Sequence, residues 1–209
     1  MQVWGIYTDA MTVEILTEAP LAPQADLGPY RRRDYDALPD QPRCELLFGR
    51  LYLLPSPTLL HQAVVVQLVV HFQQLAEALG GRAYVAPLDV ALADHSVVQP
   101  DVIYVSPQRL DILNKWIEGA PALVIEVLSP GTARRDRREK LALYAQSGIQ
   151  EYWMATAEER KFEFLVNEGG RFTVAQPVAG VYRSEKLPGV YLDLAKFWQR
   201  VEANSPPAR

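Results

Sequence analysis

Two short apolar segments in the middle of the chain each adjoin a carboxylate, and this pairing restricts the fold strongly. Residues 102–105 follow Asp101, and residues 123–125 precede Glu126. Both segments are short and rich in β-branched residues, as expected of strands that are buried on both faces. An ionised carboxylate beside such a strand is costly unless it is paired, hydrogen-bonded or bound to a metal ion. The sequence therefore predicts a sheet that holds acidic side chains inside the domain.

The other predicted elements alternate between helices and strands, which is typical of an α/β fold. Apolar runs on both sides of Phe48 and Gly49 predict a hairpin. Thr58 is a candidate cap for a helix that ends at Leu79, before two glycines. The remaining predicted elements are strands at 84–92, 99–105 and 123–128, a helix at 133–147, strands at 149–156, 161–167 and 171–176, and a helix at 194–201. We expect a central mixed β-sheet flanked by helices.

The chain divides into three parts by composition. Prolines are frequent before residue 40, so residues 1–40 are predicted to form an irregular arm, with a strand near 13–16 and a helical turn near 34–38. Residues 41–202 are predicted to form a single domain, because no linker separates their elements. Residues 203–209 are predicted to form a flexible tail.

Charge and cysteine content exclude several classes of protein. The net charge of −4 argues against a basic nucleic-acid coat, although the arginines at 31–33 and 134–138 could contact phosphates locally. Cys44 is the single cysteine of the sequence, which excludes an intramolecular disulfide and a cysteine-cluster zinc site. The first residues lack a signal-peptide pattern, and the apolar stretch at 63–72 is interrupted by Gln67 and His71. We expect a cytoplasmic protein that does not contact a membrane.

The residues around the two acids suggest metal-assisted hydrolysis of phosphodiesters. Such chemistry needs hard oxygen ligands for Mg²⁺ or Mn²⁺ and a cation near the attacking water or the phosphate. Asp101 and Glu126 could supply the oxygens from adjacent strands. Asp136 and Lys140 are four residues apart, so they share one side of the helix that follows the Glu126 strand.

The ordered set PD…EVLSPGT…D…K…Y…G…EYW resembles the bacterial restriction-endonuclease-like family of the PD-(D/E)XK nuclease superfamily. The segments ELLFGRLYLLPSPTLLHQ and LPGVYLDLAKFW are also similar to the opening and closing segments of that family, so the resemblance covers most of the chain. It implies a restriction-endonuclease-like core within residues 41–202. It also implies a metal-dependent DNA endonuclease that uses Mg²⁺ or Mn²⁺.

The resemblance also implies roles for individual residues. Asp101 corresponds to the aspartate of the PD motif, Glu126 to the second acid, and Glu45 to an early glutamate that is a further candidate metal ligand. The lysine of the superfamily normally lies two residues after the second acid, where this chain has Leu128. In this family its role passes to the following helix, which here means Lys140.

Each of these residues also has a structural interpretation. Asp101 could bond to a turn at the start of its strand, and Glu126 could form a structural ion pair with Arg134 or Lys140. Lys140 could simply pair with Asp136, and Glu45 could be a surface residue of a strand. His61 is an accessory candidate that could equally cap or pack, whereas Arg134 and Arg135 are phosphate-binding candidates in a helix start that is usually just solvated.

The leading functional hypothesis is a homodimeric, metal-dependent DNA endonuclease, because cutting both strands of a duplex commonly uses two active sites. In it, Asp101 and Glu126, with Glu45, hold the metal, and Lys140 orients the attacking water or adds positive charge. The alternative is a nuclease fold kept as a module that binds nucleic acid or a protein partner with little catalysis. The net charge of −4 and the displaced lysine favour that alternative.

Overall fold

A computed structural model of the protein describes residues 27–205. The strand expected near 13–16 and most of the expected N-terminal arm lie outside the described residues. Helix α1, Arg32–Asp36, occupies nearly the region where a helical turn was expected. The division into arm, domain and tail stays a prediction.

A five-stranded sheet contains the predicted hairpin. Its strands are arranged in the order β2-β1-β5-β4-β7. The turn of the hairpin lies at Phe48 and Gly49, where Gly49 has a φ of 75°. A Cβ atom on Gly49 would lie 2.3 Å from the carbonyl oxygen of Gly28, so the close approach of that segment requires a glycine. The strands are β1 Cys44–Leu47, β2 Arg50–Leu53, β4 Val90–Ala93, β5 Ser96–Val98 and β7 Ile117–Glu118.

A six-stranded mixed sheet forms the centre of the molecule, in the order β11-β10-β9-β8-β6-β3. Strands β8 and β9 are parallel, and every other neighbouring pair in this sheet is antiparallel. Its strands are β3 Arg82–Val85, β6 Val102–Val105, β8 Leu123–Leu128, β9 Glu151–Thr156, β10 Lys161–Asn167 and β11 Phe172–Ala175. Two further strands, β12 Val181–Arg183 and β13 Tyr191–Asp193, form a separate antiparallel pair. The predicted α/β fold with a mixed sheet and flanking helices is confirmed.

Helix α2, Leu59–Leu79, has the caps that the sequence predicted. The Thr58 side chain accepts a hydrogen bond from the backbone N–H of His61, and Gly80 ends the helix in the left-handed conformation. Its length and hydropathy alone would suit a membrane span. In the structure, however, its buried side chains belong to the core between the six-stranded sheet and helix α5, Leu194–Asn204. The side chains that pack there are Ala63, Val64, Val65, Leu68, Phe72, Leu75 and Ala76.

The predicted helix at 133–147 is interrupted by a wider turn. It consists of α3, Ala133–Arg135, a π-helical turn, Asp136–Lys140, and α4, Leu141–Gln146. Neither the π turn nor a short 3₁₀ helix at Pro107–Ile112 was predicted from the sequence.

Three predicted element boundaries were wrong. Residues 84–92 form two strands of different sheets, because Pro87, which has no N–H to donate, interrupts the run between β3 and β4. The strand expected at 99–105 begins only at Val102, and β5 precedes it in the other sheet. Helix α5 continues to Asn204, beyond the expected end at residue 201 and into the expected tail.

The six-stranded sheet separates two apolar clusters. One face packs against α2 and α5, and the other packs against α4 and the five-stranded sheet. Strand residues alternate between the faces. Because Val124 and Leu128 belong to the second cluster, the intervening Glu126 side chain points between the two sheets and α4.

Candidate active site

Asp101 and Glu126 lie across from each other at the end of a strand pair. In the antiparallel register of β6 and β8, Val102 pairs with Ile125, so the next position places Asp101 opposite Glu126. The Asp101 Oδ2 atom accepts a hydrogen bond of 2.8 Å from the backbone N–H of Val127. Asp101 is partly exposed, whereas Glu126 is only 5% exposed. The structure therefore brings the two predicted acids together.

Glu45 reaches the same place from the five-stranded sheet. It is fully buried on β1, and its Oε1 atom accepts a hydrogen bond of 2.8 Å from the backbone N–H of Gln99. Gln99 and Pro100 connect β5 of one sheet to Asp101, just before β6 of the other. This connection brings Glu45 to the acids of the central sheet.

The π turn directs two further charged side chains into this region. Asp136 and Lys140 begin and end the turn, and both are 2% exposed. Arg137 and Arg138, between them, are exposed. A π turn is wider than an α-helical turn and commonly occurs at functional sites.

The Lys140 ammonium is shared by three acids. Its Nζ atom lies 2.8 Å from Oε1 of Glu45, 2.8 Å from Oε1 of Glu126 and 3.7 Å from Oδ1 of Asp136. The expected ion pair with Asp136 therefore exists, but it is longer than the contacts with the two glutamates. One buried cation faces an excess of negative charge.

This excess of negative charge shifts the pKa values of the buried groups. Burial raises the pKa of Glu126 well above its usual value, since Lys140 offsets only part of the desolvation and Asp136 adds to the shift. Burial likewise raises the pKa of Asp136. Burial alone would lower the pKa of Lys140, but the carboxylates of Glu126, Glu45 and Asp136 outweigh it and raise that pKa.

Three of the acids keep one oxygen that has no partner in the part of the chain that the structure describes. Among the described residues, the hydrogen bonds and ion pairs of Glu45 and Glu126 are made by Oε1, and those of Asp101 by Oδ2. The Oε2 atom of Glu45 is buried and has no hydrogen-bond partner among residues 27–205. A buried carboxylate oxygen of this kind is costly, and a bound cation would satisfy it.

A family model described as "Uma2: Putative restriction endonuclease" matches residues 32–195. The chain belongs to the Uma2 family. The predicted resemblance to restriction-endonuclease-like proteins is thereby confirmed, and the family description supports a nuclease-like function.

One solved structure has the same fold. It is described as "a putative nuclease belonging to DUF820" from Anabaena variabilis ATCC 29413. The two superpose with a TM-score of 0.67 at 20% identity, over 83% of this chain and 99% of that one. None of the curated proteins compared with the chain matches it.

The carboxylates of this Uma2 protein are suitable ligands for a hard divalent cation, but two of them contact Lys140. The carboxylate oxygens that have no protein partner are the donors that Mg²⁺ and Mn²⁺ prefer. Within residues 27–205, however, no three His, Cys, Asp or Glu side chains stand where they could jointly hold a metal ion. In this arrangement the Lys140 ammonium bridges Glu45 and Glu126.

His61 contacts the site from the first turn of α2. Its Nε2 atom lies 3.2 Å from Oδ2 of Asp101, and its Nδ1 atom is buried without a partner. Burial alone would lower the pKa of His61, but the hydrogen bond and the charge of Asp101 outweigh it and raise that pKa. His61 thus helps to hold Oδ2 of Asp101, the oxygen that also accepts the hydrogen bond from Val127.

The two arginines proposed for phosphate binding differ in their surroundings. Arg134 lies in α3 and is exposed. The guanidinium of Arg135 lies 5.4 Å from the ring centre of Tyr52, and its Nε atom is buried without a partner. The neighbouring Arg137 is paired with Glu163 by hydrogen bonds of 2.7 and 2.5 Å.

Sequence reasoning missed two residues that contact the acids. Gln99 binds Glu45 through its backbone, and this contact leaves no signal in the residue type. Sequence reasoning assigned no role at the site to Tyr144, whose hydroxyl donates a hydrogen bond of 2.7 Å to Oε1 of Glu126. Its position four residues after Lys140 was the available signal, because residues at that spacing share one side of a helix.

Proposed function

We propose that this Uma2 protein is a metal-dependent nuclease that hydrolyses phosphodiester bonds of DNA. One observation carries the proposal: Asp101, Glu126 and Glu45 converge on one region, and each keeps one oxygen that has no partner within residues 27–205. The family description, which names a restriction endonuclease, supports DNA as the substrate.

Asp101 and Glu126, with Glu45, would hold the divalent cation, Mg²⁺ or Mn²⁺. When bound, such an ion lowers the pKa of a water molecule and offsets charge on the phosphate. The hydrogen bonds that Oδ2 of Asp101 and Oε1 of Glu126 accept hold these carboxylates in place. The carboxylates of Glu126, Glu45 and Asp136 together keep the Lys140 ammonium protonated.

Lys140 has two tasks in this proposal. Without a metal ion, its ammonium pairs with Glu45 and Glu126 and offsets part of their negative charge. For cleavage, the ammonium withdraws from at least one of these glutamates. It then donates a hydrogen bond to the attacking water or to a phosphate oxygen. Its raised pKa keeps it charged, so it serves as a hydrogen-bond donor and not as a base.

Cleavage of supercoiled and single-stranded DNA tests the proposal. We expect the wild-type protein to cut with Mg²⁺ or Mn²⁺ and to stop when EDTA is added. Asp101→Ala and Glu126→Gln should lose cleavage by more than about 100-fold, beyond the loss typical of residues that only support a ligand. Unfolding of both variants, seen by circular dichroism, or equal cleavage by variants and wild type would contradict the proposal.

A second candidate function is a nuclease fold that binds nucleic acid without cutting it. The bridging position of Lys140 favours this alternative, because the acids that would bind a metal already share a cation. Salt-dependent DNA binding by wild-type protein that shows no metal-dependent turnover would support it.

A further inference from the structure

Tyr144 lies on α4 and is fully buried. Its hydroxyl donates to Oε1 of Glu126 at 2.7 Å, the same oxygen that lies 2.8 Å from Nζ of Lys140. Two donors therefore hold one carboxylate oxygen from the same side. The carboxylate cannot rotate to exchange its two oxygens without losing both bonds.

Tyr152, on β9, is a suitable control for Tyr144 because its hydroxyl does not contact Glu126. It is also fully buried, and the two rings meet edge to face with their centres 4.9 Å apart. The Tyr152 hydroxyl, however, donates to the backbone carbonyl of Asp136 at 3.2 Å and not to a carboxylate. The two hydroxyls share an environment and differ in what they bind.

We propose that Tyr144 is a positioning residue that holds Oε1 of Glu126, so that Oε2 remains available to the divalent cation. The inference rests on the proposed function, since it assigns Tyr144 a role at the metal site. Without the hydroxyl, Lys140 is the only remaining protein donor to Glu126 among the described residues. The carboxylate then rotates more freely, and the ammonium can engage either oxygen.

A purely structural role for Tyr144 makes a different prediction. If the hydroxyl only satisfied hydrogen bonding inside the core, its removal would resemble removal of the Tyr152 hydroxyl. Both substitutions to phenylalanine keep the ring and its packing, and each removes one buried hydroxyl group. Only a role in orienting Glu126 separates the two variants in their affinity for metal.

Calorimetric titration of Mn²⁺ into wild type, Tyr144→Phe and Tyr152→Phe tests the inference. We expect Tyr144→Phe to bind Mn²⁺ about 10- to 100-fold more weakly, as is typical when a group that orients a metal ligand is removed. Tyr152→Phe should stay within about threefold of wild type, below that range. In cleavage, Tyr144→Phe should need more metal while its rate at saturating metal stays near that of wild type.

The outcomes separate this inference from the proposed function. Equal Mn²⁺ affinity of Tyr144→Phe and wild type, or equal weakening by both tyrosine variants, would overturn the role of Tyr144. The proposed function would still stand. Absence of Mn²⁺ binding by folded wild-type protein would overturn the proposed function, and the inference with it.

A measurement on the wild type remains decisive if Tyr144→Phe does not fold. In protein carrying ¹³C at the tyrosine ring carbon that bears the hydroxyl, Mg²⁺ should shift the Tyr144 signal more than the Tyr152 signal. The shift should share the midpoint of metal binding. A Tyr144 signal that stays fixed while Mg²⁺ binds would overturn the inference.

Discussion

At the scale of single residues, the site is governed by the number of acids that share one cation. Glu45, Glu126 and Asp136 surround the Lys140 ammonium, and Asp101 lies across from Glu126 with His61 at its side. A buried excess of negative charge is unfavourable. Burial raises the pKa values of Glu126 and Asp136, and the neighbouring acids add to both shifts.

Lys140→Met separates the two tasks of the lysine. Loss of the ammonium leaves buried acids without a partner, which should lower the free energy of unfolding by about 3–5 kcal/mol in metal-free buffer. Mn²⁺ should restore much of that stability and bind at least as tightly as to wild type, while cleavage is lost. Thermal unfolding and calorimetry with and without Mn²⁺ check this, with the exposed Lys196→Met as control. A Kd raised more than about tenfold would show that Lys140 supports metal binding and does not compete with it.

Glu151 predicts how stability depends on pH away from the site. It is fully buried and accepts hydrogen bonds from Trp153, Tyr182 and Ser184. Burial raises its pKa despite these bonds, so the folded state favours the neutral acid. Its contribution to stability is therefore present below the usual glutamate pKa and lost as pH rises through the raised value. Glu151→Gln should flatten this decline, measured by denaturant unfolding across that range, and an unchanged slope would contradict the assignment.

At the scale of elements, the π turn places both Asp136 and Lys140 inside the domain. Deletion of the exposed Arg138 should convert this turn to α-helix and rotate one of the two residues by about 100° relative to the other. We expect metal affinity and cleavage to fall by about tenfold or more, as when ligand-supporting contacts are lost. Arg138→Ala, which keeps the chain length, should behave as wild type. A deletion variant that is folded and fully active would show that the π turn is not needed.

The elements also show how far the sequence could predict the structure. Thr58 and Gly80 marked the ends of α2 correctly, because caps are local, and Lys161–Asn167 formed the strand that its residues indicated. Residues 84–92 misled because their alternation continues across a proline that separates two sheets. The π turn and the hydrogen bond of Tyr144 depend on tertiary packing, which local patterns do not encode.

At the scale of the whole molecule, the proposed DNA binding would depend on local positive charge, since the net charge is −4. Arg134→Gln should weaken DNA binding and lower the salt dependence by about one counterion. Arg137→Gln removes the same charge from an arginine already paired with Glu163, so it should have little effect. Fluorescence anisotropy in EDTA at several salt concentrations checks this. Equal losses in both variants would indicate a general charge effect and no phosphate contact at Arg134.

The expected homodimer also belongs to this scale and stays a prediction. Cutting both strands of a duplex commonly uses two active sites, which a homodimer would supply. Sedimentation equilibrium of the protein with and without DNA measures the assembly directly. A monomer that nevertheless cuts both strands in one encounter would contradict the expectation.

Anomalous diffraction from crystals soaked in Mn²⁺ tests the metal site most directly. We expect an anomalous peak beside Asp101 and Glu126, which would hold the ion together with Glu45, and we expect Lys140 to be withdrawn from at least one glutamate. The same soak of Glu126→Gln crystals should give a much weaker peak. A site that stays free of manganese at saturating concentration, with Lys140 still bridging Glu45 and Glu126, would contradict the account.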